Sequence, residues 1–287
     1  MDSQTLRLRD GRMLGFREFG DPNGLPMFYF HGFPGSRLEA KPAHPTAEAM
    51  GVRLLALDRP GFGRSDFQPG RQLVDWAVDV ESAADVLGVE RFGVLGASGG
   101  GPYVLAVAHA LPKRVRLAAI VSGLGPVSDA VAGMGPVNRL GLALARWLPG
   151  GVYAGMWMIR TVGPQRMLRL IENTLAPPDR RVLSRADVLA SVTETLEEGF
   201  APGSKGAAHD LLLLARPWGF VLQDVRVPVL LWHGEADEDI PVSVGRSVAA
   251  MLPDCHATYW PGEGHLALYD RIGEVLGAIC DRLGDAG

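Results

Sequence analysis

Strand-length apolar runs recur along the chain: PMFYFHG at 26–32, VRLLALD at 52–58, RFGVLGAS at 91–98, VRLAAIVSG at 115–123, PVLLWHG at 228–234 and ATYWPG at 257–262. Each is nearly continuous in hydrophobicity rather than alternating, the pattern of strands covered on both faces of a parallel sheet. Between them the apolar spacing switches to a helical period. In RQLVDWAVDVESAADVLG (71–88), Leu73, Trp76, Ala77, Val80, Ala84 and Leu87 fall along one face, and Gly88 ends it. GPYVLAVAHAL at 101–111, VGRSVAAML at 244–252 and HLALYDRIGEVLGAICDRL at 265–283 read as further helices. At the start, TLRLR, an Asp10-Gly11 turn and RMLGFREF predict a hairpin. Alternating strands and helices predict an α/β fold built on a doubly wound, mostly parallel sheet.

From Gly125 to about Val221 that rhythm stops. Only helical patches follow, NRLGLALARWL, VYAGMWMIRTV, PQRMLRLIENTL and GAAHDLLLLA, punctuated by Gly and Pro at 149–151, 177–178 and 202–203. The expected organisation is a core domain of residues 1–124 and 222–287 with a helical cap, or lid, at 125–221. Ten basic against eight acidic residues in the cap name no charged ligand. Trp147, Met156 and Trp157 are candidates to line an apolar substrate pocket, against the plainer reading that they pack the cap's own core.

Composition excludes several classes. The 287 residues are 47% hydrophobic, enough for one large domain with an insertion. A net charge of −4 without a basic run argues against nucleic acid or an anionic membrane as partner. No apolar run approaches the roughly 20 residues of a membrane span, and MDSQTLRLRD lacks a signal-peptide pattern. Cys255 and Cys280 make neither a disulfide framework nor a metal spacing. The expectation is a cytoplasmic protein with no metal and no cofactor, acting on a small molecule; its oligomeric state stays open.

Chemistry concentrates at the ends of the apolar runs. Gly96-Ala97-Ser98-Gly99-Gly100 fits G-x-S-x-G at a strand-to-helix turn. A serine held on so sharp a turn needs residues without side chains two before and two after it, which Gly96 and Gly100 supply. The Gly99 N–H then opens the helix, where partial positive charge favours an anion. Serine needs a base, and the base an acid. HGEADEDIP offers Glu235, Asp237, Glu238 and Asp239 after one strand, and PGEGH brings His265 after the next. HGFPGS at 31–36 follows an early strand and can donate the Phe33 N–H beside that of Gly99 to an oxyanion.

Together, HGFPGSR, DRPGFGRSD, GASGGG, GEADEDIP and GEGH resemble the α/β-hydrolase superfamily over essentially the full length. The resemblance implies an eight-stranded sheet with the cap inserted after the sixth strand, and a cofactor-free serine hydrolase; cleavage of an ester or related acyl bond is the expected reaction. It selects Asp237 as the acid, three residues after a glycine and four before a proline, completing Ser98, Asp237 and His265 as catalytic triad with Phe33 and Gly99 as oxyanion hole. It gives His31 a bracing role under the oxyanion loop. Rival readings are hydrolysis of a carbon–carbon bond in a β-diketone, amide hydrolysis as in an aminopeptidase, a ligand-sensing receptor, and a cofactor-free synthase or cyclase.

Overall fold

The computed structural model describes residues 4–126, 134 and 136–284. Eight strands form one sheet: β1 (Gln4–Arg7), β2 (Met13–Gly20), β3 (Leu25–Phe30), β4 (Val52–Leu57), β5 (Phe92–Ala97), β6 (Val115–Val121), β7 (Val229–Gly234) and β8 (Cys255–Trp260). Their spatial order is β1-β2-β4-β3-β5-β6-β7-β8. β2 runs antiparallel to β1 and β4, and the remaining neighbours pair in parallel.

Alternation along each strand divides the core in two. Phe28, Phe30, Leu55, Leu57 and Val94 face a cluster that includes helices α2 (Trp76–Val86), α3 (Gly101–Ala110) and, counted ahead in chain order, α10 (Val242–Met251). Met27, Tyr29, Leu54, Ala56 and Leu95 point the other way, toward α1 (His44–Ala49) and the final helix α11 (Leu268–Gly284). Both faces are dry, which is why the strands read as unbroken apolar runs.

Between β6 and β7 the described residues hold α4 (Pro136–Trp147), α5 (Pro149–Val162), α6 (Pro164–Ile171), α7 (Pro177–Leu183), α8 (Ala186–Phe200) and α9 (Lys205–Leu214). Pro149, Pro164 and Pro177 each open a helix, where the missing N–H has no partner to lose. The insertion shares the larger cluster with the sheet: Leu142, Ala145, Val152, Ala208 and Leu211 join it. The sequence patterns miss α7 and α8. The face that α8 buries includes Ser191 and Thr195, and Thr195 Oγ1 accepts from the Ser36 N–H at 3.0 Å, so its inward stripe is partly polar and the helical period is faint.

Candidate active site

Ser98 follows β5 and starts a single 3-10 turn that leads into α3. Its φ of +51° is a left-handed conformation that a non-glycine residue adopts only when its surroundings hold it there. Room is the constraint. A Cβ on Gly96 would stand 3.0 Å from the Gly100 carbonyl, and one on Gly100 would stand 2.2 Å from the Phe30 carbonyl oxygen. The glycines flanking the serine are required by close approach, as the motif predicts.

The loop after β7 and the turn after β8 bring their side chains to this serine. His265 Nε2 lies 2.9 Å from Ser98 Oγ, and His265 Nδ1 lies 2.8 Å from Asp237 Oδ2. With Asp237 ionised and the imidazole neutral, Nδ1–H donates to the carboxylate and Nε2 accepts from the serine hydroxyl. Asp237 is held by its own loop: the N–H groups of Asp239 and Ile240 donate to Oδ1 at 3.0 and 2.8 Å. His233 sits beneath, fully buried, with Nε2 2.7 Å from the Ile240 carbonyl oxygen and 3.4 Å from Asp237 Oδ2.

The electrostatics follow from these contacts. Burial disfavours the Asp237 carboxylate, yet the charge of His265 and hydrogen bonds from both histidines outweigh it and hold the carboxyl well below its ordinary range. Burial likewise opposes the imidazolium of His265. The adjoining Asp237, then Asp239 and Asp179, overcome it and push His265 up to about 10.

Opposite the serine, the loop after β3 presses Phe33 against Gly99: a Cβ on Gly99 would lie 2.6 Å from Phe33 Cβ and 3.1 Å from its nitrogen. Buried polar groups fix this loop. The Gly32 N–H donates to both Glu39 oxygens at 2.9 Å, and the Tyr29 hydroxyl donates to Glu39 at 2.7 Å. His31 Nε2 accepts from the Arg59 N–H, while Nδ1 lies 2.8 Å from the Gly32 carbonyl oxygen. Burial and the Arg59 charge keep His31 well below the usual histidine range, so it is neutral and braces the loop. The Arg59 guanidinium donates to the carbonyls of His31 and Gly32 and pairs with Asp210 of α9 at 3.0 Å.

The pocket residues part company. Met156 is half-buried and packs against the cluster of Phe62, Phe200 and Ala207, which Phe33 and Ile159 also meet. Trp147 is 78% exposed and Trp157 60% exposed, on outward faces of α4 and α5. Phe62 and Phe200, from the two layers, form a small buried cluster behind the Phe33 loop, and the two tryptophans do not join it.

A sequence profile described as the alpha/beta hydrolase fold matches residues 26–271. This chain belongs to that family. The α/β hydrolase is 35% identical over 126 residues to a non-heme chloroperoxidase of Streptomyces lividans, a match spanning 43% of this chain and only 45% of that protein. It is 25% identical over 243 residues to a 2-hydroxy-6-oxononadienedioate/2-hydroxy-6-oxononatrienedioate hydrolase of Paraburkholderia phymatum, covering 82% of this chain and 77% of the relative. Among solved structures, a hydrolase from Pseudomonas aeruginosa PA01 superposes with a TM-score of 0.75 at 20% identity, covering 99% of this chain and 98% of that one, a likeness of fold. Among the described residues no group of three or more His, Cys, Asp or Glu could hold a metal ion, and no helix is long and apolar enough to cross a membrane.

Three further residues at the site of this α/β hydrolase are not singled out by the sequence. His233 stands immediately before the glycine of the G-x-x-D spacing, and only its place at a strand end hints at a role. Glu39 and Asp179 lie in stretches without any local signature and reach the site through the fold.

Proposed function

We propose that the protein is a serine hydrolase that cleaves esters of small apolar acids or alcohols, without a cofactor. The observation that carries this reading is the hydrogen-bonded row Ser98–His265–Asp237, with distances of 2.9 and 2.8 Å, beside the main-chain nitrogens of Phe33 and Gly99. Ser98 Oγ attacks the substrate carbonyl as His265 Nε2 takes its proton, and Asp237 stabilises the imidazolium that forms. The Phe33 and Gly99 N–H groups receive the oxyanion, each worth on the order of 3 kcal/mol in the transition state. His265 returns the proton to the leaving alcohol, then activates water to release the acid from Ser98. The half-buried Phe33, Met156 and Ile159, packed against the buried Phe62 and Phe200, put apolar side chains on the loop that carries the Phe33 N–H and support an uncharged, apolar substrate group.

One alternative has an observation of its own. The Paraburkholderia relative, matched over 82% of this chain, acts by its name on a dienedioate, so carbon–carbon bond hydrolysis by the same three side chains is the second reading. Fluorophosphonate labelling mapped by peptide mass, with turnover of a p-nitrophenyl ester series beside a vinylogous diketone, tests both. Label on Ser98 and ester turnover support the first. Labelling with diketone cleavage alone supports the second, and an unlabelled Ser98 overturns both.

The pH profile is a further expected result. The base works as neutral imidazole, and neighbouring carboxylates raise its proton affinity above the ordinary 6.5. Activity is therefore full at high pH and is lost as pH falls through the raised value. The acid limb of kcat/KM should lie above pH 6.5, and a limb at or below 6.5 would contradict the assigned environment.

A further inference from the structure

We propose that Asp179, a carboxylate supplied by the helical insertion, positions His265 and so ties the base to the docked state of that insertion. The inference rests on the reading of Ser98, His265 and Asp237 given above. Asp179 lies in the first turn of α7 and is 2% exposed. The Leu266 N–H, next along the chain from His265, donates to its Oδ1 at 2.7 Å. The fit is close: a Cβ on Gly264 would stand 2.4 Å from Asp179 Oδ1, so the residue before the histidine has to be side-chain-free. Two residues into α11, Asp270 pairs with Arg185, from the loop between α7 and α8. The segment 264–270 is thus gripped on one side by the insertion while the imidazole is engaged on the other by Asp237 and Ser98.

The two partners of the imidazole are secured differently. Asp237 is fixed by main-chain donors of its own loop, whereas the turn that carries His265 is fixed at Leu266 by a residue 87 positions earlier in another layer. A buried carboxylate is tolerable only with hydrogen-bond donors, and the Leu266 amide is the one Asp179 finds when the insertion is seated. Lifting α7 removes the anchor from the base and strands the carboxylate, so the seated arrangement is the competent one. The charged groups facing His265 are Asp237 and Asp239 from the loop after β7, Glu39 from the segment after the oxyanion loop, and Asp179.

The test combines pH–rate profiles on a soluble p-nitrophenyl ester, fluorophosphonate labelling of Ser98 and thermal melts for wild type, Asp179→Asn and Asp179→Ala. The asparagine keeps an acceptor oxygen and loses the charge, so the acid limb of kcat/KM moves to lower pH with the folded fraction unchanged. The alanine loses anchor and charge, so kcat falls on the order of 10²-fold with little change in KM, and labelling slows in step. Wild-type kcat and an unmoved limb in both variants would overturn the proposal. So would an alanine variant whose loss only follows a lower melting temperature while the asparagine limb stays put. Wild-type protein that resists the label would overturn the triad reading, and this inference with it.

Discussion

Replacing Ser98 by alanine is expected to lower ester turnover by about 10⁴–10⁶-fold while leaving the melting temperature close to that of the wild type. The size of the loss follows from the arrangement. His265 Nε2, 2.9 Å from the hydroxyl, then has no side-chain nucleophile to activate, so the covalent route through an acyl-enzyme closes and only the residual catalysis of the proposed oxyanion donors and of binding is left. The fold should tolerate the change because a methyl is smaller than the hydroxymethyl it replaces, although the +51° φ at this position still has to be held by the glycines around it. Circular dichroism and a melt check the fold, and kcat/KM checks the chemistry. Retention of even a tenth of the wild-type rate would remove Ser98 from the mechanism.

The largest effect on stability is expected at Asp210, far from the motifs. Its carboxylate is fully buried, pairs with Arg59 at 3.0 Å and Arg71 at 2.6 Å, and accepts from the Tyr103 hydroxyl. Burial works against the ionised form, but the two guanidinium charges prevail and lower Asp210 to about 2. Asp210→Ala leaves two arginines buried without their shared partner, which costs roughly 3–5 kcal/mol. A loss of that size corresponds to a fall of on the order of 10 °C in Tm. Because Arg59 also holds the carbonyls of His31 and Gly32, activity measured well below the melt should drop too. The pH dependence has a definite sign. A carboxyl depressed on folding contributes stability above its unfolded pKa, and that contribution is lost as pH falls from about 4 toward 2. A variant that melts with the wild type at neutral pH would show that the network contributes nothing net.

What the sequence discloses and what it hides divide along a physical line. The strands, the serine turn and the Ser98–Asp237–His265 set are readable because each depends on local chemistry: an apolar run, a glycine where backbone approaches backbone, an acid or imidazole just past a strand end. Asp179, Glu39 and Asp210 are not readable, because each meets its partners through the fold. The contact between Ser36 and Thr195 spans 159 positions, and nothing near either residue announces it. The tryptophans mislead for a related reason. An aromatic residue in a helix signals a buried face only if a neighbour covers it, and the solvent-facing sides of α4 and α5 leave Trp147 and Trp157 uncovered.

The tight fit of Gly264 against Asp179 bears on attempts to re-engineer substrate range. Chimeras that graft a foreign set of lid helices onto this scaffold would import a new pocket but inherit a histidine turn shaped around an acid that the donor lid has no reason to carry. On the role proposed for Asp179, such hybrids would fold with a slackened base unless that one aspartate travelled with the graft.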